Sequence, residues 1–253
     1  AVGWAQLIHS EGTDLERIVV FALVFNAALL AGCQHVAPLQ HPASSPPRED
    51  IAEELVDSKH RGRQLRGEYG RYRANNDLLY YHLDIRVTPE TRSIRGRNTI
   101  RFRMLRDDNR IQLDLNRDLN IDKILLGPKP LQYTRELNAV FVDFPTKLES
   151  GREYSIDFYY SGAPKRVGRF VGISFDVDPS GRPWIYTACE GPGSSYWWPG
   201  KDQWRDEVES MDISVAVPNE LMNVSNGRFV GKKNLADGYT RWDWRVHYPI
   251  NSY

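Results

Sequence analysis

The sequence predicts an all-β domain, built as an antiparallel, saddle-like sheet or β-sandwich. Three observations lead to this prediction. From Leu78 onward, apolar and polar residues alternate with a period of two, which is the pattern of half-buried strands. Clusters of Gly, Pro, Asn and Ser separate the alternating segments, and no long segment there has the period of a helix. These features are typical of sheets in which each strand turns back on its neighbour.

The first two strands are expected to form a hairpin. Alternate residues from Tyr81 to Val87 are apolar, and residues 89–92 have the composition of a turn. In the second strand a row of arginines alternates with apolar residues, so the arginines should lie on the sheet surface near Asp84 and Glu90. The further predicted strands lie at residues 111–115, 119–126, 140–143, 154–160, 184–189, 211–217, 229–230 and 242–246.

Composition excludes some classes of partner. The chain has 253 residues, with 33 basic and 33 acidic side chains, so its formal net charge is zero. This balance argues against nucleic acid as a partner. The basic run at residues 59–73 is interrupted by Glu68, which is typical of a solvated helix face. The two cysteines, Cys33 and Cys189, are too few for a disulfide framework.

The N-terminal region has the layout of a secretory signal peptide. Arg17 precedes an apolar run at residues 18–31, which is shorter than the roughly 20 residues of a membrane span. Leu-Ala-Gly-Cys at residues 30–33 resembles the lipobox of bacterial lipoproteins, in which the cysteine is lipidated. We therefore expect a lipid on Cys33 that anchors the protein in the bacterial cell envelope, facing the periplasm or the surface. Gln34 after the cysteine favours the outer membrane. The alternative is a buried helix followed by an incidental cysteine.

The sequence divides into three segments. Residues 1–33 hold the upstream residues and the signal peptide. Residues 34–74 hold a Pro-rich tether and a short helix predicted over residues 48–65. Residues 75–253 hold the β-domain. Because the last predicted strand ends close to Tyr253 without a terminating signal, we expect this domain to be incomplete at its C-terminus.

Residues 183–202 have the most unusual composition in the chain. They hold three of the seven tryptophans, Glu190 and a Gly-Pro-Gly turn at residues 191–193. The strand predicted over residues 184–189 delivers Glu190 into an aromatic loop, and loops held on a rigid sheet often carry binding groups. The alternative is an aromatic plug that covers a sheet edge and leaves Glu190 solvated.

The sequence contains no complete active site. Its six histidines form no H-E-x-x-H motif and no other metal-ligand spacing. Cys189 has no evident histidine partner, and Gly-Ser-Ser at residues 193–195 is not a nucleophile elbow. Residues 191–193 are no phosphate loop, because the proline lacks an amide donor. We therefore expect no cofactor in this segment.

Several short motifs follow one another in a characteristic order. The first is Tyr-His-Leu-Asp-Ile at residues 81–85, and the second is Gly-Arg-Glu-Tyr-Ser-Ile at 151–156, followed by Tyr-Ser-Gly at 160–162. Next come Thr-Ala-Cys-Glu at 187–190 and Trp-Pro-Gly-Lys-Asp at 198–202. The last are Val-Pro at 217–218 and Val-Ser-Asn-Gly at 224–227. In this order they resemble the N-terminal β-domain of the aminopeptidase N family of zinc metallopeptidases. The resemblance covers about residues 75–253.

The resemblance implies a β-domain packed on a downstream catalytic domain of the same chain. That domain would carry H-E-x-x-H and the zinc, so the present segment alone should be inactive. The expected partners are peptide N-termini. The family's acid falls on Glu190, which would hold the free α-ammonium group, with Tyr186, Ala188 and Cys189 lining the adjacent pocket. Ala188 stands where many members have Gln, and Gly200 where Cys is frequent, which implies an altered side-chain preference.

Two other functions fit the same residues. A non-catalytic binding module of the envelope would use an aromatic platform for sugar rings or a partner protein. The candidate platform residues are Trp184, Tyr186, Trp197, Trp198 and Trp204. The second alternative is a family member whose downstream domain has lost its zinc ligands and acts as a scaffold.

Overall fold

The structure, a computed structural model, describes residues 48–165, 171–191 and 193–248, with side chains from residue 58 onward. The predicted signal peptide, the tether up to residue 47 and Cys33 lie outside the described residues. The helices are α1 (Arg48–Gly67) and α2 (Arg71–Ala74), with a short 3-10 turn at Ser194–Tyr196. The strands are β1 (Asn76–Thr88), β2 (Ser93–Met104), β3 (Asp108–Asp114), β4 (Asn120–Leu126), β5 (Lys129–Pro130), β6 (Gln132–Glu136), β7 (Ala139–Leu148), β8 (Glu153–Gly162), β9 (Val171–Val177), β10 (Pro183–Cys189), β11 (Ser210–Pro218), β12 (Arg228–Asn234) and β13 (Tyr239–Val246).

In the described part of the chain these strands form three sheets. The largest has eight strands in the order β12-β13-β11-β1-β2-β8-β4-β5, the second has the order β3-β7-β6, and β9 pairs with β10. The predicted all-β class is confirmed, and so is the predicted β1–β2 hairpin. The predicted antiparallel pairing has one exception, because β1 and β11 run parallel. Parallel neighbours need a long crossover, and here the chain from β2 to β10 supplies it.

The alternation seen in the sequence builds the core. Leu83 and Ile85 of β1 are buried, whereas Asp84 between them is partly exposed. In β2, Phe102 is buried and Arg101 is exposed, as the period of two requires. The inward faces of β1, β2 and β8 share one apolar cluster with β3 and β7. The eight-stranded and three-stranded sheets therefore enclose a common core.

The arginine row of β2 lies on the outer surface of the sheet, as predicted. Arg97 lies 3.8 Å from Asp84 and 3.9 Å from Asp157 on the neighbouring strands. Glu90, the second acid expected near this row, lies instead in the turn that follows β1. Partly exposed pairs of this kind contribute little to stability, so the row is a solvated face of the sheet.

Helix α1 is longer than the predicted helix by two residues and contacts the three-stranded sheet. Arg61 forms an ion pair with Glu136 of β6 at 2.6 Å. The side-chain amide of Gln112 in β3 donates to the carbonyl oxygen of Leu65 at 2.9 Å. The C-terminal half of α1 is thus attached to the β-domain.

Buried charges hold the loop that connects the 3-10 turn to β11. The Lys201 ammonium forms an ion pair with Asp206. It also donates to the carbonyl oxygens of Arg73 and Asn76, each at 2.9 Å. The other carboxylate oxygen of Asp206 accepts the backbone N–H of Leu78 at 2.9 Å. Burial lowers the pKa of Lys201, and the neighbouring Asp206 opposes this shift. The loop is therefore tied to the beginning of β1.

A second buried cluster adjoins the first. The guanidinium of Arg73, which is fully buried, pairs with Asp114 and donates to the carbonyl oxygens of Asp202 at 3.0 Å and Arg66 at 2.9 Å. One Asp114 oxygen accepts the N–H of Asp202 at 2.9 Å. The Asp202 carboxylate in turn accepts hydrogen bonds from the hydroxyl and N–H of Ser195. Burial raises the pKa of Asp202, and the Ser195 hydroxyl opposes this shift. This cluster joins α2, β3 and the loop.

Gly96→Ala tests the close packing of β1 against β2. A Cβ at Gly96 would lie 2.6 Å from the Asp84 carbonyl oxygen and 2.7 Å from Cγ2 of Ile85. Overpacking of this kind costs about 1–3 kcal/mol, because backbone must move. We expect a loss in that range by urea denaturation. Gly231→Ala in β12 is the matched control, since its Cβ would have no neighbour within 4 Å. Equal stability of the two variants would contradict the observed packing.

Lys201→Met tests the buried ion pair. Removal of the ammonium leaves Asp206 buried without its cation and leaves two backbone carbonyls without a donor. Such a change typically costs about 3–5 kcal/mol in the free energy of unfolding. Lys147→Met is the matched control, because Lys147 is 64% exposed in its pair with Asp107 and should barely change stability. A Lys201→Met protein as stable as the control would refute the structural role of Lys201.

Candidate functional site

The β9–β10 hairpin presents the candidate site. Its two strands pair antiparallel, with Cys189 opposite Val171 at the end of the hairpin. At the other end, the Asp178 carboxylate accepts the N–H groups of Ser180 at 2.8 Å and Arg182 at 2.9 Å. Hydrogen bonds from the Ser180 hydroxyl and from Arg182 hold the pKa of Asp178 well below its usual range. The turn is closed by local hydrogen bonds, so the strand that leads to Glu190 begins from a defined point.

The predicted site residues lie on two faces of β10. Side chains alternate along a strand, so Tyr186 and Ala188 share one face while Cys189 lies on the other. Tyr186 and Ala188 are half-buried, and the Tyr186 hydroxyl donates to Asp176 at 3.1 Å. Cys189 is buried and unbridged and lines a cavity, whereas Tyr186, Ala188 and Glu190 do not contribute to that cavity. Burial raises the pKa of the Cys189 thiol to about 11.

Glu190 directly follows β10 and is exposed. Within the described ranges, no hydrogen bond or ion pair engages its carboxylate. Asp202 and Asp206 in the loop that follows are buried and already bonded. Glu190 therefore has a carboxylate that is accessible to a ligand, as has the exposed Glu207 further along the loop.

The turn after Glu190 is fixed from two sides. The guanidinium of Arg66 in α1 donates to the carbonyl oxygen of Gly191. Gly193 has φ +86° and a Cβ there would lie 2.5 Å from the carboxyl carbon of Asp202. Only glycine fits this approach without strain. Arg66 was not predicted to be part of the site, because a helical arginine in a basic run has the pattern of a solvated residue.

The aromatic side chains near the hairpin do not form one flat surface. Trp198 is 8% exposed and packs edge-on against Tyr81 and Trp197, with ring centroids 5.1 and 6.4 Å apart. Trp184 and Trp204 are exposed. A buried ring presents no open face to a sugar, so Trp198 belongs to the core instead of the predicted platform.

No group of three or more His, Cys, Asp or Glu side chains within residues 48–165, 171–191 and 193–248 is arranged to hold a metal ion. The His, Cys, Asp and Glu side chains in these ranges therefore do not fit a zinc site. Over the same ranges, none of the helices has the length and apolar character needed to cross a membrane.

Solved structures of M1 zinc metallopeptidases share this fold. The chain matches the M1 zinc metallopeptidase from Deinococcus radiodurans with a TM-score of 0.58 and 20% identity, over 70% of this chain and 40% of that chain. A mutant M1 zinc metallopeptidase from the same organism, bound to a Tyr-Ser-Ala substrate, matches with a TM-score of 0.61 and 19% identity, over 71% and 41%. The chain thus spans about two fifths of the length of these proteins. At such identities the likeness shows the fold alone.

Sequence comparison identifies the family. A search among curated proteins finds no match. The model of the Peptidase M1 N-terminal domain matches residues 78–253, which is more than half of the chain. This match confirms the resemblance stated from the sequence motifs. The chain belongs to the Peptidase M1 N-terminal domain family.

Proposed function

We propose that this chain is the substrate-side domain of a zinc metalloaminopeptidase and that Glu190 holds the free α-ammonium group of the peptide. Hydrolysis itself would occur in a downstream catalytic domain that carries the zinc. The observation that carries the proposal is the position of Glu190. It is an exposed carboxylate at the end of a strand, within the residues that match the family. The bound Tyr-Ser-Ala of one fold relative is consistent with a peptide as the ligand.

The chemistry of Glu190 suits this role. A carboxylate and an ammonium group form a charge-assisted hydrogen bond, which is about twice as strong as a neutral one. An acetylated N-terminus lacks that charge, so the contact selects for free amino termini. The strand on one side and the Arg66 contact to Gly191 on the other limit the movement of the Glu190 backbone. A binding group held in place in this way loses less entropy when it binds.

The face of β10 that holds Tyr186 and Ala188 is proposed to flank the first side chain of the peptide. Ala188 has a small side chain two residues before Glu190, so it leaves space on the same face of the chain. Tyr186 is held by its hydrogen bond to Asp176 and would bound that space. Cys189 lies on the opposite face, and its proposed contribution is to support the strand from beneath.

Glu190→Gln in the complete gene product tests the proposed role. The change removes the charge and keeps the shape, and loss of one partner of a desolvated charge pair typically costs about 2–5 kcal/mol. We expect kcat/KM for aminoacyl anilides to fall by about 30- to 4,000-fold, with an unchanged unfolding transition. Glu220→Gln, an exposed acid in the turn after β11, is the matched control and should retain full activity.

Two outcomes would contradict different parts of the proposal. If Glu190→Gln retains the wild-type kcat/KM, Glu190 does not bind the ammonium group. If the complete gene product releases no N-terminal residues from any peptide, the assignment as an aminopeptidase is wrong.

We also propose that Cys33 carries the lipid that holds the protein in the bacterial cell envelope. The support is the sequence at residues 30–33, since these residues lie outside the described part of the structure. Several acyl chains suffice for stable anchoring, because each buried methylene contributes about 0.8 kcal/mol. Intact-mass measurement of the mature protein should find acyl mass on Cys33, and Cys33→Ser should release the protein from membranes. An unmodified Cys33 in membrane-associated protein would refute the proposal.

A further inference from the structure

A cavity beneath β10 is separate from the proposed peptide contact. Its volume is about 180 Å³, and Glu190 is not among its lining residues. Its wall includes apolar side chains from β1 and from the loop and β11, among them Leu83, Trp197, Trp198, Met211 and Ile213. A dry apolar cavity of about 150 Å³ in another protein holds one benzene ring. The cavity therefore has room for an aromatic ring or an aliphatic body of similar size.

The ammonium group in the wall of the cavity has no remaining donor. Lys201 is the basic residue of the lining, and its ammonium already donates to three oxygen acceptors. Both carboxylate oxygens of Asp206 are also engaged, one by Lys201 and the other by the N–H of Leu78. An anionic ligand would consequently find no available cation among the described lining residues.

One carboxylate in the same wall is accessible. Glu207 is exposed and lines the cavity, and no described residue forms an ion pair with it. Gln203 is 4% exposed, and its Oε1 has no hydrogen-bond partner among the described residues, but this oxygen is buried and is not accessible from the cavity. The accessible carboxylate of Glu207 thus favours a ligand that carries a positive charge.

We propose that this cavity binds a small amine with an apolar body, such as an arylalkylammonium ion. The apolar body would fill the space beside Trp197 and Trp198. The ammonium group would form an ion pair with Glu207 at the wall of the cavity. This site goes beyond the proposed peptidase function, because it lies on the face of β10 opposite to Ala188 and does not include Glu190.

Isothermal titration calorimetry of the folded chain at pH 7 tests the site by measuring the Kd of two probes of similar size and opposite charge. We expect 2-phenylethylamine to bind saturably at one site, with a Kd at least tenfold lower than that of phenylacetate. Glu207→Gln should weaken binding of the amine at least threefold. Val208→Trp should abolish it, because Val208 is a lining residue and the larger ring would fill the cavity. The comparison of the two probes uses the unaltered chain, so it holds even if the Val208→Trp protein does not fold.

Glu190→Gln separates this inference from the proposed function. If the amine binds in the cavity, this variant should bind it with an unchanged Kd. If Glu190→Gln weakens amine binding, the amine occupies the proposed peptide contact and the cavity site is refuted while the role of Glu190 is supported. Absence of saturable amine binding, or equal binding of amine and phenylacetate, would also overturn the inference.

Discussion

The buried ion pair between Lys201 and Asp206 is the interaction on which the arrangement of this domain most depends. It fixes a loop without regular structure to the first strand of the large sheet. Moving two charges out of water is costly, and the pair compensates for this cost only when every remaining hydrogen bond is made. Here the ammonium has three acceptors and the carboxylate has two donors. That requirement for complete bonding leaves the loop one well-defined position.

The position of the loop determines the position of Glu190. Asp202, next to Lys201, contacts the short turn that begins at Ser194 and leaves no space for a side chain at Gly193. The turn after Glu190 is therefore supported by the same buried charges. Arg66 adds a contact from α1, which precedes the residues that match the family model. We infer that the helix before the family domain helps to hold the acid in this chain.

Sequence periodicity predicted the sheet well and the charged interior poorly. Strands β1, β2 and β8 were predicted because mainly one face of each is buried, which imposes an alternating pattern. Strand β6 was missed because its residues are mostly exposed. With no buried face, the strand does not need apolar residues at every second position. The parallel contact of β1 with β11 joins residues far apart in the chain, and no local pattern encodes it. Similarly, Lys201 and Arg73 have the composition of solvated residues, and their burial depends on partners that periodicity does not reveal.

The candidate site was predicted only in part. The motif at residues 187–190 predicts Glu190 as the binding acid, which stays a prediction, whereas the strand before it was predicted almost to the residue. The burial of Trp198 and the unpaired, buried Oε1 of Gln203 depend on how the loop folds back onto β1 and β11.

A crystal structure of the complete protein with a dipeptide analogue tests the central claim most directly. The account predicts that the Glu190 carboxylate lies about 2.7–2.9 Å from the α-ammonium nitrogen. An ammonium group bound elsewhere, with Glu190 facing solvent, would contradict it.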